Sequence, residues 1–420
     1  MRLASFLQIA VLASAAVGQS TSKQGLLEPK SDTVPMALDH NRIVIDLDVA
    51  SSNGATQRVH AWVDNGNADL DMSRRLAALI GLTVTCDDKT CSAPPPAAIT
   101  IGTMKIPLTG VKEVNIPLKR ESVASVMAPG VNVEINIPSA VLRNYDVLIN
   151  FPEHKFTIGE PGSLKFNGVK SKMLVNPSNG IIEIPSEMDN KKYNLGLDLG
   201  SSISFLSGEL FEKLSTAHPG WPHMTGAIGP ANMWGADVET KWRLLRMERV
   251  QYGPLFLTDT PVVSRPKETL DFFEKRAGVS TVGVLGSEAL LNYRVGLDYA
   301  HSIAYFDIGR TFNFPDFDVI GLILRPEDDG RFTIIGAADF QGKASVPEVQ
   351  AGDHLVAVDG SLVQGSTMGQ VWSMLGGAPG QERMLVVERS GKQFSVSARV
   401  QHFLGETEDD SDSKKKSRKN

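Results

Sequence analysis

The sequence predicts a mainly β protein with two similar lobes and a smaller β-rich unit after them. Three observations lead to this prediction. From Arg42 to about residue 310, short apolar runs of strand type alternate with turn residues. A segment of the first half of this region recurs in the second half at an offset of 148 positions. Beyond residue 315, several short strand-type runs surround one helical stretch at residues 368–375.

Length and composition limit the classes of function. The chain has 420 residues, of which 42% are hydrophobic, and this is enough for two or three folded domains. A net charge of -6 argues against a nucleic-acid partner, which would need a concentrated basic face. The eight histidines are scattered, and neither HExxH nor CxxC occurs. We therefore expect no metal site and no cofactor.

The first 18 residues have the pattern of a signal peptide. Arg2 precedes an apolar run over residues 3–17, and Ala16 and Gly18 stand at plausible -3 and -1 cleavage positions. A buried first helix or an uncleaved anchor is the alternative. No later stretch approaches the roughly 18 apolar residues that a membrane helix needs. We expect an exported protein, periplasmic or secreted, with no transmembrane segment after signal cleavage.

Composition changes divide the rest of the chain. Residues 19–37 are polar and contain Pro29 and Pro35, which predicts an N-terminal arm. We place the first lobe at residues 38–160, the second at 161–314 and the third unit at 315–404. In residues 405–420 five acids precede five bases with no apolar residue, which predicts a disordered tail. A basic tail end that touches an anionic surface is the alternative.

Cys86 and Cys91 are the only cysteines of the chain. In an exported protein they are permitted to form a disulfide, which would close a small loop. Two free thiols are the alternative.

One aspartate recurs at the same place in both lobes. The repeated segments INIPSAVLRNYDVLINF and VLGSEALLNYRVGLDY are each preceded by a strand, an Asp-x-Gly turn and a helix. The turns are Asp64-Asn65-Gly66 and Asp198-Leu199-Gly200, and the helices begin at Ser73 and Ser207, which are good N-cap residues. Two carboxylates that meet across a pseudo-twofold axis would share one proton and could activate water against a peptide bond. Two structural aspartates that cap turns are the alternative.

Residues 42–310 resemble the retropepsin and pepsin-like aspartic proteases. The similarity lies in LDLGSSISFLSGELFEKL, VGVLGSEAL and VHAWVDNGNADLDMSRRLAALIGL. The resemblance implies a pair of β-barrel lobes, with Asp64 and Asp198 as catalytic residues and Gly66 and Gly200 completing their turns.

The chain departs from that family at several positions. Asn65 and Leu199 stand where the family has Thr or Ser, and Pro138 replaces a glycine. No tyrosine precedes Tyr145, although pepsin-like enzymes carry a flap tyrosine in the first lobe. These departures leave a catalytically inactive relative as an alternative.

The third unit is similar to PDZ domains of the bacterial envelope type. The similarity lies in AGDHLVAVDG, the helix that follows it, and the Gly-x-Pro-Gly sequence at residues 377–380. It implies a groove in which backbone N–H groups and an added strand bind the C-terminus of a protein. The residues that would form this groove are Ile320, Gly321, Leu322, Ile323, Met368 and Trp372. A groove that docks onto the chain's own lobes is the alternative.

A loop at residues 218–235 is rich in Trp, Gly, Pro and His. We interpret it as an ordered loop that closes the second lobe, and a wall of the substrate cleft is the alternative. Together these features predict an exported aspartic-type endopeptidase that acts on peptides or unfolded proteins. A non-catalytic protein-binding scaffold that uses the PDZ groove is the alternative function.

Overall fold

The computed structural model describes residues 30–51, 54–117, 133–309 and 317–405. Three predicted segments lie wholly or partly outside these residues. They are the signal peptide, the arm up to residue 29, and the tail from residue 406 onwards. Within them the mainly β fold class is confirmed, because strands far outnumber helices.

The described residues of the first lobe form twelve strands. They are β1 (Ser31–Asp39), β2 (Arg42–Ala50), β3 (Thr56–Asp64), β4 (Leu70–Asp71), β5 (Thr85–Cys86), β6 (Cys91–Ala93), β7 (Ala98–Ile101), β8 (Met104–Pro107), β9 (Val114–Ile116), β10 (Ile135–Pro138), β11 (Asp146–Asn150) and β12 (Lys155–Gly159). β1 begins inside the segment predicted as an arm, because its backbone pairs with β12 and β2, and such long-range pairing leaves no local signal.

The second lobe contains the strands β13 (Val169–Lys172), β14 (Leu174–Val175), β15 (Ile182–Met188), β16 (Lys191–Asp198), β17 (Ser204–Ser207), β18 (His223–Thr225), β19 (Arg243–Tyr252), β20 (Leu255–Arg265), β21 (Gly283–Gly286), β22 (Tyr293–Asp298) and β23 (Ile303–Ile308). Eight of them form one sheet in the order β14-β15-β16-β21-β17-β20-β19-β18.

The third unit contains β24 (Asp318–Val319), β25 (Leu322–Pro326), β26 (Phe332–Ala337), β27 (Asp339–Phe340), β28 (Lys343–Ala344), β29 (His354–Val358), β30 (Ser361–Leu362), β31 (Glu382–Arg389), β32 (Lys392–Arg399) and β33 (Gln401–His402). Its main sheet follows the order β25-β26-β29-β31-β32, with β30 paired to β29.

In the part of the chain that the structure describes, five α-helices connect these strands: α1 (Arg74–Leu79), α2 (Ser139–Leu142), α3 (Gly208–Ala217), α4 (Lys267–Ala277) and α5 (Met368–Leu375). As predicted, Ser73 and Ser207 cap α1 and α3, and their hydroxyls accept the N–H groups of Leu76 and Leu210. α5 has the predicted bounds. Among the residues that the structure describes, no helix is long and apolar enough to cross a membrane.

The two lobes are joined by one continuous sheet. β11 and β22 pair antiparallel at its centre, and Leu148 lies opposite Gly296, its equivalent in the sequence repeat. β12 and β1 continue the sheet on one side, and β23 and β13 continue it on the other. The pseudo-twofold axis therefore passes between Leu148 and Gly296, and the strands on its two sides are equivalent.

The third unit shares its hydrophobic core with the second lobe. One buried cluster unites Phe205 of β17 and the preceding Ile203 with Ile323 of β25 and Trp372 of α5. Because no separate core isolates the third unit, its position is tied to the second lobe by buried apolar surface.

Candidate active site

The two aspartates end equivalent strands. Asp64 is the last residue of β3 and pairs in parallel with Pro138 of β10. Asp198 is the last residue of β16 and pairs in parallel with Gly286 of β21. Pro138 thus occupies the place of Gly286 without disturbing the ladder. The repeat predicted from the sequence brings both carboxyl groups to the same end of the interlobe region.

Each aspartate lies against the glycine of the opposite turn. A Cβ atom built on Gly66 would lie 2.1 Å from Cγ of Asp198, and one built on Gly200 would lie 2.4 Å from Oδ1 of Asp64. The N–H group of Gly66 also donates towards both carboxyls. Only a residue without a side chain allows the two turns to approach this closely, so the glycines are a condition for the pairing of the carboxyls.

Burial makes the two carboxyls hard to ionise together. Burial, followed by the charge of Asp198, raises the pKa of Asp64 well above its ordinary value. Burial raises the pKa of Asp198 to about 6. Asp198 ionises more easily, because its Oδ1 accepts the N–H groups of Gly200 at 2.9 Å and Ser201 at 3.0 Å. A single proton shared by this pair therefore resides mainly on Asp64.

The side chain of Asn65 forms hydrogen bonds between the two lobes, as the family's Thr or Ser hydroxyls would. Its Nδ2 donates to the carbonyl oxygen of Leu197 at 2.7 Å, and its Oδ1 accepts the N–H of Leu199 at 2.7 Å. The amide thus pairs with the second-lobe turn as a neighbouring strand would. Leu199 is fully buried and forms no equivalent polar bond from its side chain, so the brace is one-sided.

The pair opens into a cavity of about 530 Å³. Its lining combines aromatic and apolar side chains with carboxyls and amides. The lining includes Trp62, Asp69, Asp71, Met233, Trp234 and Phe272. Met233 and Trp234 belong to the loop at residues 218–235, so this loop forms part of the cavity wall, which was the alternative interpretation of its sequence.

The cavity contains a third buried carboxyl, which the sequence analysis missed. Burial raises the pKa of Asp71 to about 6, although Nδ2 of Asn67 and Nδ2 of Asn115 donate to it at 2.8 Å and 3.1 Å. Asp71 is one of the charges that raise the pKa of Asp64. No motif marks it, because the amides that hold it come from separate parts of the first lobe.

α4 joins the two lobes at one side of the cavity and was also missed. Arg276 near its end donates to Oδ1 of Asn67 at 2.6 Å and to Oδ2 of Asp69 at 2.6 Å, both in the first lobe. A sequence signal was present, since Pro266 precedes the helix and Gly278 ends it with a φ of 73°. The helix carries Phe272 and Arg276 to the cavity together.

A buried arginine lies behind the carboxyl pair. Arg42 is fully buried, and its guanidinium lies 5.7 Å from the ring centre of Trp62 and 5.4 Å from that of Trp234. Its Nη2 donates to the carbonyl oxygen of Met233 at 2.8 Å. The positive charge favours the ionised forms of Asp64 and Asp198 and so partly opposes the effect of burial.

The residues predicted to bind peptides are covered by the chain itself. Leu322 and Ile323 of β25 and Met368 of α5 are fully buried, as is Ile320, and Trp372 is nearly so. A Cβ atom on Gly321 would lie 2.4 Å from Oγ of Ser345. In this arrangement the groove edge of β25 is not open to an added strand.

Cys86 and Cys91 are joined by a disulfide with an S–S distance of 2.03 Å, which closes the turn between β5 and β6. Nη2 of Arg74 lies 3.2 Å from Sγ of Cys91. The bridge lies in the small first-lobe sheet that also contains β4 and β9. It therefore fixes a hairpin in the same sheet as the strand that ends in Asp71, with β9 between them.

Comparison with known proteins gives a structural similarity only. No protein-family model matches the chain, and no curated protein matches its sequence. Among solved structures, an aspartic proteinase from Irpex lacteus is similar with a TM-score of 0.40 and 11% sequence identity. The similarity covers 66% of this chain and 97% of that one.

Proposed function

We propose that this protein is an aspartic-type peptidase in which Asp64 and Asp198 share one proton and activate water. The observation that carries the proposal is the reciprocal approach of the two turns, in which each glycine lies against the opposite carboxyl. Two buried carboxyls that interact through their charges retain a proton between them. Peptides or unfolded proteins are the proposed substrates, since the adjoining cavity is lined by both aromatic and polar side chains.

The two carboxyls take different roles. Ionised Asp198 removes a proton from the water molecule, and the water oxygen forms a bond to the peptide carbonyl carbon. Protonated Asp64 donates its proton to the carbonyl oxygen, which gives a neutral tetrahedral diol. Collapse of the diol breaks the C–N bond, and the proton taken by Asp198 passes to the leaving nitrogen. One of the two diol hydroxyls gives its proton to Asp64 as the carboxylic acid forms, and the pair again holds one proton.

Peptide hydrolysis measured from pH 3 to pH 9 tests this proposal. The purified protein is compared with Asp64→Asn, Asp198→Asn and Asp328→Asn, and the last is a control because Asp328 is exposed in the third unit. We expect hydrolysis by the parent and the control, and loss of at least a thousandfold in both dyad variants. A folded parent that cleaves nothing at any pH would instead support the inactive scaffold.

Two further proposals come from the sequence. Export rests on residues 1–18, and N-terminal sequencing of the protein recovered outside the cytoplasm should begin at Gln19. The assignment of residues 315–404 as a PDZ-like unit rests on the motifs quoted above. Whether its groove accepts the C-terminus of another protein is decided by the experiment in the next subsection.

A further inference from the structure

The free edge of β25 is paired with a single side chain from the second lobe. Nδ2 of Asn232 donates to the carbonyl oxygen of Leu324 at 3.0 Å, and Oδ1 of Asn232 accepts the N–H of Leu324 at 2.8 Å. Leu324 lies opposite Ile334 of β26, and both of its own backbone polar groups bond Asn232. Asn232 therefore occupies the place that an added peptide strand would take.

The backbone around Asn232 follows β25 at close range. A Cβ atom on Gly226 would lie 2.9 Å from Cα of Ala338 and 3.0 Å from Cδ1 of Ile323. One on Gly235 would lie 2.7 Å from Cα of Arg325. Both glycines also have positive φ, at 102° and 64°. The segment of residues 226–235, called the wall segment below, fits the groove through positions that only glycine fills without strain.

A second part of the chain closes the α5 side of the groove. Oδ1 of Asp39 accepts the N–H of Gly369 in the first turn of α5 at 2.9 Å. A Cβ atom on Gly369 would lie 2.5 Å from the backbone nitrogen of His40. Nε2 of His40 in turn lies 2.7 Å from the carbonyl oxygen of Gly229 in the wall segment. The turn between β1 and β2 thus joins α5 to the wall segment.

The wall segment also reaches the carboxyl pair. Its Met233 and Trp234 line the cavity beside Asp198, and the Met233 carbonyl holds Arg42. Buried Glu239 fixes the segment by accepting Nδ2 of Asn232 at 2.6 Å and the N–H of Trp234 at 2.8 Å. Asn232 is therefore bonded to the groove on one side and adjoins the two cavity residues on the other.

We infer that the groove of the third unit is a clamp for the wall segment, and that Asn232 is a positioning residue that sets Met233 and Trp234 at the cavity. The groove's occupant is residues 226–235 of the same chain. The clamp fixes the substrate-facing wall, and it excludes the C-termini of other proteins from β25. The catalytic consequence rests on the proposed peptidase function, whereas the occupancy of the groove does not.

Hydrogen exchange of the full chain tests the inference. We compare the parent with Asn232→Ala, with Asp39→Ala as a milder second variant, and with Asn194→Ala as a control, because Asn194 bonds Ser280 at an exposed position. We expect exchange of the wall segment to rise at least tenfold in Asn232→Ala, a smaller rise in Asp39→Ala, and no change in the control. Unchanged protection of the wall segment in both variants would overturn the inference.

Two further readouts separate positioning from folding. In peptide hydrolysis, Asn232→Ala should raise KM at least fivefold with little change in kcat, because the wall contacts substrate and the carboxyl pair is intact. A fluorescent peptide that ends in a free Leu-Val carboxylate should bind Asn232→Ala but not the parent. Saturable binding of this peptide to the parent, with the wall segment still protected, would show an open groove and refute the clamp. A chain that hydrolyses nothing would remove the proposed function only, since exchange and peptide binding still decide the clamp.

Discussion

The N–H group of Leu199 donates to Oδ1 of Asn65 at 2.7 Å, across the boundary between the two lobes. The same amide donates to the carbonyl oxygen of Leu197, so one side chain replaces a pair of backbone partners. The position of Asn65 next to Asp64 makes this bond a direct link between the two Asp-x-Gly turns.

Asn65→Ala should therefore destabilise the protein and reduce hydrolysis. The change leaves the buried N–H of Leu199 and carbonyl of Leu197 without partners, at a cost of roughly 2–4 kcal/mol in the free energy of unfolding. Denaturant unfolding and kcat/KM measure the two effects, and Asn194→Ala is the control. Equal stability of Asn65→Ala and the control would show that the brace contributes nothing.

Gly66→Ala and Gly200→Ala should each abolish the proposed peptide hydrolysis. The new methyl group would overlap the opposite carboxyl, at 2.1 Å from Cγ of Asp198 or 2.4 Å from Oδ1 of Asp64, and would force the turns apart. We expect a loss of at least a hundredfold in kcat and a stability cost of about 1–3 kcal/mol. Gly220→Ala is the matched control, because a Cβ atom there meets nothing within 4 Å. Full activity of either dyad-glycine variant would contradict the close approach.

The pH dependence of hydrolysis should follow the single-proton state of the pair. Ionised Asp198 is required as the base, so kcat/KM should increase as the pH rises past an apparent pKa of about 6. Activity should fall again at higher pH, as Asp64 loses the proton that burial and the charge of Asp198 hold on it. A bell-shaped profile with its maximum near neutral pH is the expected result. A maximum near pH 3 would contradict the raised pKa values of the pair.

Glu183 should make stability depend on pH away from the active site. It is buried, and burial raises its pKa from 4.5 to about 8. The folded protein therefore holds a proton that the unfolded chain releases, and the free energy of unfolding falls as pH rises from about 4.5 to about 8. The loss over this range is on the order of a few kcal/mol.

Glu183→Gln tests this dependence, because an amide of the same shape cannot release a proton. The variant should match the parent near pH 4.5 and exceed its stability near pH 8, as measured by urea unfolding at both values. Glu187→Gln, a change in the same strand at a less buried carboxyl, should leave the slope unchanged. Parallel stability curves for Glu183→Gln and the parent would refute the role of Glu183.

Local sequence signals identified the parts of the site that lie within one turn or helix. The Asp-x-Gly turns, the caps Ser73 and Ser207, and the bounds of α5 all depend on residues a few positions apart. The offset of 148 positions predicted two related lobes, and the pairing of Leu148 with Gly296 places the axis between them.

Other features depend on partners far apart in the chain. Arg276 meets Asn67 and Asp69 at separations of 209 and 207 positions, and no local pattern encodes such a contact. Asn65 departs from the family pattern in sequence, but in the structure its amide oxygen accepts the N–H of Leu199, which is 134 positions away. The sequence shows that Asn65 lacks the hydroxyl of Thr or Ser, but only the folded structure shows which hydrogen bonds its amide forms instead.

The sequence by itself determined a β-rich chain with two repeated lobes, one aspartate on each, and a third unit with a helix at residues 368–375. Strand periodicity, turn glycines and helix caps act over short distances, and the amino-acid order records them directly. The tertiary structure alone decided that Asn232 bonds the backbone of Leu324 and that Asp71 and Arg276 join the cavity. It also decided that the N–H groups of Gly200 and Ser201 make Asp198 easier to ionise than Asp64. These features depend on which surfaces exclude water together, and that is fixed only when distant parts of the chain pack.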